Sequence, residues 1–304
     1  MSDKIYKLID ENGEVIDNFT VRKGETIGVL QKKKNLTPKQ NLHLTEIREM
    51  KEISELLGGY IHMAFIKNDL LFNNLNLSPG TITRLIYLAT YLEYDNKEKG
   101  VLMYKGVRGK HIPMTRKTMR KVLRLGERSF YEFLYESKDN NMIFETKEKL
   151  YLNPEYFSKG KCDFKKGEYT RIYIDSIRNL FDNTKVSQHK QLSYILRLIP
   201  FTHYQYNVIC FNPNETNFKL IKDMTLEDIC NLFNVGDTNK SRFKKNLLKF
   251  WINLDGEKFY LFKYVKVEGL TKDHDYFVVN PYVIFKGNDS EVMKSIAKLF
   301  YFDE

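Results

Sequence analysis

Basic residues are concentrated between positions 105 and 128. This window holds nine lysines and arginines but a single acid, Glu127, so its net charge is +8 where the whole chain carries +10. Closely spaced ammonium and guanidinium groups bind phosphate oxygens, and the pattern therefore indicates a polyanionic partner such as nucleic acid. A charge run considered alone favours another interpretation, a solvated helix face.

The segment from Met114 to Gly160 supplies the elements that would position these charges. Two series of apolar residues at helical spacing are followed by two short apolar runs around a Thr-Lys-Glu-Lys turn. The first series is Met119, Val122, Leu123 and Leu125, and the second is Phe130, Phe133 and Leu134. We expect Gly126 to end the first helix in the left-handed conformation that glycine adopts without steric cost. Helix, turn, helix and hairpin in this order are typical of a winged helix-turn-helix, which reads duplex DNA.

Residues 60–113 predict the elements that precede this motif. Residues 60–66 alternate as a strand, and residues 69–75 form a short helix. Ser78 caps an apolar helix that begins at Pro79 and that we expect to end at the corner Tyr94-Asp95-Asn96. The stretch from there to Met114 is basic and rich in glycine, and it predicts a loop.

An N-terminal element stands before these segments. Two apolar runs joined at Asn12-Gly13 predict a β-hairpin, because both turn positions accept positive φ. Thr37 and Pro38 then open a helix that Gly58-Gly59 ends.

The second half of the chain repeats the first. Met224-Thr225 stands 110 positions after Met114-Thr115. When the two halves are aligned at this offset, apolar residues fall on apolar residues and Gly236 falls on Gly126. After a three-residue insertion the match resumes in a third helix, residues 239–250, then a longer wing from Phe259 to Val279 and a closing Asn-Pro. We predict an α+β fold of tandem winged helix-turn-helix domains with an N-terminal β-hairpin and helix. The predicted domains are residues 1–59, 60–165 and 166–304, the last with a C-terminal helix at 290–300.

The predicted DNA contacts lie on the helices and wing of each unit. Arg128 and Ser129 begin the helix after the turn, where base edges are reached, and the other basic residues are better placed for phosphates. The set in the first unit is Lys110, Arg116, Lys117, Arg120, Lys121, Arg124, Arg128, Ser129 and Tyr131. The set in the second unit is Lys240, Ser241, Arg242, Lys244, Lys245, Lys263 and Lys266. The alternative for each residue is a solubilising surface charge. We expect the first unit, with the heavier charge, to be the stronger anchor.

No residue pattern predicts catalysis, a cofactor or a metal site. A phosphate-binding loop, clustered carboxylates and paired histidines are all missing from the sequence. Cys162, Cys210 and Cys230 are too widely spaced to indicate a disulfide framework or a zinc site. The sequence also lacks a membrane-spanning apolar run and the apolar core of a signal peptide. We therefore expect a non-enzymatic, cytoplasmic, nucleoid-associated protein that binds double-stranded DNA and no membrane.

Residues 60–160 resemble the winged-helix replication proteins of Firmicute plasmids and related phage DNA-binding proteins. The matching features are the stretch from Phe65 to Leu75, the Leu77-Ser78 start, the ending Tyr91-Leu92-Glu93-Tyr94-Asp95-Asn96, the helix-turn-helix, and the closing Leu152-Asn153-Pro154-Glu155-Tyr156-Phe157-Ser158-Lys159-Gly160. The resemblance implies binding to repeats at a replication origin and recruitment of host replication proteins. The N-terminal hairpin and helix, and the weaker match of the second unit, depart from this family.

Two other functions stay open at this point. A transcriptional repressor or activator of a plasmid or phage needs the same DNA binding, so residues do not separate it from an initiator. A winged helix can also be a protein-interaction module, with the N-terminal segment as an arm for a partner. Origin or operator repeats, host replication proteins and a second copy of the chain are the partners to consider.

Overall fold

The computed structural model describes residues 4–9, 15–21, 37–64, 76–94, 98–106, 109–160, 169–267 and 274–301. The chain divides into two compact units, Met1–Leu44 and Thr45–Glu304. Helices and small antiparallel sheets alternate through the described ranges, which confirms the predicted α+β class. The predicted boundaries after residues 59 and 165 stay predictions.

The helices and strands of the described ranges follow in chain order. The helices are α1 (Pro38–Leu56), α2 (Pro79–Ala89), α3 (Arg116–Leu123), α4 (Glu127–Asp139), α5 (Ile174–Asp182), α6 (His189–Leu196), α7 (Leu226–Leu232), α8 (Lys240–Leu248) and α9 (Ser290–Lys298). The strands are β1 (Lys4–Ile9), β2 (Val15–Val21), β3 (Tyr60–Ala64), β4 (Met103–Lys105), β5 (His111–Pro113), β6 (Ile143–Glu145), β7 (Leu150–Leu152), β8 (Phe157–Ser158), β9 (Tyr169–Tyr173), β10 (Trp251–Leu254), β11 (Glu257–Tyr260), β12 (Phe262–Val267) and β13 (His274–Val279).

The N-terminal elements agree with the sequence. Strands β1 and β2 pair antiparallel, as predicted, although the turn residues Asn12 and Gly13 lie outside the described residues. Helix α1 begins at Pro38, after a reciprocal cap: Gln40 N donates to Thr37 Oγ1 at 3.3 Å, and Thr37 N donates to Gln40 Oε1 at 2.9 Å. Gly58 and Gly59 follow its end with φ values of +74° and +82°, which glycine adopts readily.

Helix α2 begins as predicted and ends earlier than predicted. Ser78 Oγ accepts a hydrogen bond from Thr81 N, and the helix stops at Ala89, ahead of the corner expected at residues 94–96. It ends there because the next residues pair as a strand, with an antiparallel bridge between Leu92 and Leu102. The loop predicted before Met114 contains the hairpin β4–β5. The short helix predicted at residues 69–75 falls outside the described residues.

Gly126 does not end α3, contrary to the prediction. The left-handed residue is Arg124, with φ +56°, and its N–H donates to the carbonyls of Arg120 and Lys121. Gly126 has φ −63° and ψ 161° and stands as the N-cap of α4. A Cβ at Gly126 would meet nothing within 4 Å, so neither backbone nor packing requires glycine there.

The turn between α7 and α8 has the same backbone conformation. Asn234 is left-handed at φ +53°, and Gly236 has φ −65° and ψ 155°. Thr225 caps α7 through a reciprocal hydrogen-bond pair with Asp228, as Thr115 caps α3 with Thr118. The three-residue insertion found in the sequence is a short 3-10 helix, Asp237–Asn239, directly before α8.

The two Asn-Pro segments also make equivalent hydrogen bonds. Asn153 Nδ2 donates to the carbonyl of Asn141 at 3.0 Å, and Asn280 Nδ2 donates to that of Tyr260 at 3.1 Å. Each Asn Oδ1 accepts the N–H two residues later at 2.9 Å. These contacts place β12–β13 as the counterpart of the short hairpin β6–β7. The wing predicted from Phe259 is therefore corrected to β12–β13, and the separate hairpin β10–β11 is inserted before it.

Strands β3 and β9 join the two halves of the Thr45–Glu304 unit. They pair antiparallel, with His62 opposite Arg171, and the sheet continues through β8 on one side and a bridge from Ile172 to Ile284 on the other. Beside this sheet α2 packs on α6, where Thr83 Oγ1 donates to the carbonyl of His189 at 2.8 Å. The apolar side chains of both halves form one continuous core.

Candidate nucleic-acid interface

Helix α3 presents four cations on its exposed side. Arg116, Lys117, Arg120 and Lys121 all point to solvent, because Met119 and Leu123 fill the buried face of this short helix. Lys117 and Lys121 have no ion pair with a described residue. Arg120 Nη1 lies 3.7 Å from Glu127 Oε2, a contact that is exposed on both sides.

Arg116 connects α3 to the hairpin β6–β7. Its Nε donates to Glu145 Oε1 at 2.6 Å and its Nη2 to Glu145 Oε2 at 2.5 Å, while Lys138 Nζ donates to the same carboxylate at 2.5 Å. The Arg116 guanidinium, and then Lys138, lower the pKa of Glu145 to about 2. Arg116 is thus partly committed to the wing, although half of its side chain is exposed.

Arg124 is occupied by a helix end. Its guanidinium donates to the carbonyls of Phe181 at 2.5 Å, Asp182 at 3.1 Å and Thr184 at 3.2 Å, and it lies 5.0 Å above the Phe181 ring. A cation that binds the last carbonyls of a helix stabilises it through both hydrogen bonds and the helix dipole. The structure therefore gives this predicted DNA contact a role in holding α5.

Helix α4 carries more acids than bases on its exposed face. Arg128 is 93% exposed and donates to Glu132 at 2.9 Å, and Ser129 beside it is exposed. Tyr131 is half-buried and stacks on Tyr135, with ring centres 6.0 Å apart. With four acids and two bases, α4 carries a net negative charge. Its exposed groups suit hydrogen bonding to base edges better than neutralisation of phosphates.

Helix α8 differs from α4 in carrying four bases and no acid. Ser241, Arg242 and Lys245 are exposed, and Arg242 and Lys245 have no ion pair with a described residue. Lys240 is half-buried and its Nζ contacts two carboxylates, that of Asp237 at 2.8 Å and that of Glu227 at 3.3 Å. Lys244 lies 3.1 Å above the ring centre of Tyr264.

The remaining predicted contacts lie on hairpins. Lys110 is exposed at the turn of β4–β5, where its carbonyl accepts the N–H of Gly106. Lys263 Nζ donates to the carbonyl of Leu299 at 2.6 Å, so this wing lysine is tied to the end of α9. Lys266 is exposed further along β12.

The predicted DNA contacts leave out two lysines next to α8. Lys190 on α6 lines a groove that also contains Arg242, and Lys249 just after α8 is hydrogen-bonded to Gln191 in the wall of this groove. Lys249 follows Asn239, Arg242 and Asn246 at helical spacing, and this polar row was the signal that could have found it.

Burial shifts the pKa values of several titratable groups among the described residues. Burial lowers the pKa of His62 to about 4 and that of His189 to about 3, and it raises the pKa of the Cys210 thiol to about 12. His203 Nδ1 accepts two backbone N–H groups, and its Nε2 lies 2.8 Å from the carbonyl of Glu215. Among the described residues, no three His, Cys, Asp or Glu side chains cluster closely enough to hold a metal ion.

In the described ranges no helix combines the length and apolarity needed to cross a membrane. Comparisons with protein-family models, with curated proteins and with solved structures found no match to this chain.

Proposed function

We propose that this protein binds double-stranded DNA sequence-specifically through two winged helix-turn-helix units. The observation that carries the proposal is the repeated helix-turn-helix, in which the capping threonine, the left-handed residue and the glycine N-cap recur at matching positions. Each copy presents an exposed helix with four cations, α3 in the first and α8 in the second. A recurrent positive surface on a DNA-reading motif favours phosphate contact over a merely solvated face.

The register of β3 and β9 supports an approximate two-fold relation between the units. In the first unit Met63 pairs with Phe157, which stands four positions after Asn153. In the second unit Ile172 pairs with Ile284, which stands four positions after Asn280. This makes Met63 equivalent to Ile172 and His62 equivalent to Arg171, and His62 and Arg171 pair with each other. Strands related in this way have a two-fold axis between them. Two readers so related engage half-sites about 34 Å apart in successive major grooves.

The biological role that we propose is origin binding by a plasmid or phage replication initiator. Its support is the resemblance of residues 60–160 to winged-helix replication proteins. Footprinting across the genome of the native host tests the role directly, because an initiator protects repeats within a replication origin. Protection confined to promoters would replace it with the regulator.

The DNA-binding proposal itself is tested by titrating wild-type protein with duplex DNA over a range of salt concentrations. We expect the logarithm of the binding constant to fall linearly with the logarithm of salt, at about 0.9 for each phosphate neutralised. Arg128→Ala should then reduce discrimination at one base pair by about 1–3 kcal/mol while leaving the salt slope almost unchanged. Lys219→Gln, at an exposed lysine outside both contact sets, is the control.

Two results would overturn the proposal. A wild-type response that is flat with salt would mean that phosphates contribute nothing, and the protein-interaction module would become the leading hypothesis. Arg128→Ala binding that matches wild type on every sequence would remove α4 from base reading.

A further inference from the structure

The groove between α6 and α8 is lined by polar and basic side chains around an aromatic floor. Its volume is about 430 Å³. Lys190 and Gln191 stand on the α6 side, and Asn239, Arg242 and Asn246 on the α8 side. The described residues that line it include no carboxylate, although acids and bases are interspersed over much of this chain.

Lys249 is hydrogen-bonded to two side chains that line this groove and, like Arg242, forms no ion pair with a described residue. Lys249 Nζ donates to Gln191 Oε1 at 2.8 Å and to Asn246 Oδ1 at 3.0 Å, so its described partners are neutral amides. Arg242 stands one helical turn before Asn246 on α8, and Asn246 is hydrogen-bonded to Lys249, so the two cations lie on the same side of the helix. Burial, and then the positive charge of Arg242, lower the pKa of Lys249. Like charges held together destabilise the free protein, and an anion bound between them removes that repulsion.

We infer that the groove between α6 and α8 binds a phosphodiester group of a nucleic-acid strand, with Arg242 and Lys249 supplying the charge. Lys190 adds a third cation at the rim, and the side-chain amide of Asn239 is a hydrogen-bond donor for a phosphate oxygen. The inference rests on the proposed function, because a strand whose bases meet the outer face of α8 carries its backbone along one side of that helix. Ser241 and Lys245 occupy that outer face, next to the row that lines the groove.

Asn246→Asp is the most discriminating substitution. The new carboxylate keeps the hydrogen bond from Lys249 and adds a negative charge beside Arg242, so it offsets one of the two positive charges within the protein. We expect an unchanged or higher melting temperature, together with duplex affinity about tenfold weaker and a salt slope lower by about 1. A residue with a purely structural role would not raise stability and weaken binding together.

Lys190→Gln provides a second variant at an exposed position where folding is not at risk. It should weaken binding to every duplex sequence about threefold and lower the salt slope by about 1. Lys219→Gln, which also removes one positive charge from an exposed position but lies outside the groove, is again the control. Calorimetric titration with inorganic phosphate alone, at constant ionic strength, separates a free-anion site from a backbone site.

Three outcomes decide the inference. Weaker binding by Asn246→Asp with retained stability supports it. If wild type shows steep salt dependence but Asn246→Asp has the same affinity and slope, the groove does not hold backbone and the inference fails while the proposed function stands. Binding of inorganic phosphate with no change in duplex affinity overturns it in favour of a free-anion site. Wild-type binding that does not depend on salt would instead remove the proposed function.

Discussion

The two helix-turn-helix segments have matching backbones and opposite distributions of charge. In the first, the helix before the turn carries four bases and the helix after it is net negative. In the second, the helix before the turn carries two acids and the helix after it carries four bases. The same frame therefore presents its positive surface on different helices.

Equivalent positions show how directly the charges are exchanged. Before the turn the two copies are offset by 110 positions, so Lys117 corresponds to Glu227. After the turn the offset is 113, so Glu132 corresponds to Lys245. Both positions are exposed in both copies. The caps and the core apolar residues set the backbone, while exposed positions are free to change sign because nothing packs on them. If the proposed function holds, we expect α3 to contact phosphates in one unit and α8 to do so in the other.

The largest expected effect comes from giving α3 the residues of α7. Lys117→Glu combined with Lys121→Asn should lower duplex affinity about 100-fold for all sequences, because two phosphate contacts are lost and a repulsive charge is added. Fluorescence anisotropy at several salt concentrations measures this loss. The reciprocal pair Glu227→Lys and Asn231→Lys should raise affinity and lower specificity. Equal affinities for both variants and wild type would show that α3 does not face the DNA.

The next effect concerns the left-handed residue of each turn. Arg124→Gly removes the backbone strain of a side chain in that conformation but also the hydrogen bonds to the end of α5, and we expect a net loss of about 2 kcal/mol in unfolding free energy. Asn234→Gly removes a side chain that makes no hydrogen bond to a described residue, so its change should stay within about 0.5 kcal/mol. Urea denaturation of both variants measures the contrast. Equal changes in the two variants would mean that the contact of Arg124 with α5 contributes nothing to stability.

Local signals predicted much of this fold. The threonine and serine caps, the helical spacing of apolar residues and the Asn-Pro segments located helices α1 to α4, α7 and α8 and the hairpin β6–β7, because these features act over a few residues. Gly126 misled because the left-handed conformation was assigned by residue type, whereas Arg124 and Asn234 adopt it two residues before the glycine of each turn. Hairpin β10–β11 was missed although Asp255-Gly256 is a strong turn signal, with φ values of +51° and +88°.

The candidate interface was less predictable than the fold. A list of basic residues does not show which of them are already used, and Arg124 and Lys263 prove to bind carbonyls of distant segments. The groove beside α8 combines residues from two helices, so only their packing brings Lys190 near Arg242. Long-range pairing of this kind leaves no periodic pattern in the sequence.

The smallest expected effect concerns the link between each wing and its helices. In the first unit Glu145 binds Arg116 and Lys138, and at the equivalent position of the second unit the ring of Tyr264 lies below Lys244. Because the folded protein holds the pKa of Glu145 at about 2, below its value in the unfolded chain, its contribution to stability is present above about pH 4.5 and is lost as pH falls towards 2.

Glu145→Gln should therefore lower the unfolding free energy by about 1 kcal/mol at pH 7 and flatten its dependence on pH between about 5 and 2. The effect is modest because half of the Arg116 side chain is exposed and water screens the pair. Tyr264→Leu removes the aromatic contact of the second unit, and a Tyr264→Phe control accounts for the hydrogen bond that Tyr264 also donates to Asp275 at 2.9 Å. Since neither Lys244 nor the ring titrates in that interval, the stability loss of Tyr264→Leu relative to this control should be the same at every pH there. Thermal unfolding of both variants from pH 2 to 7 compares the two links, and a pH profile for Glu145→Gln as steep as that of wild type would exclude this carboxylate as the source of the acid sensitivity.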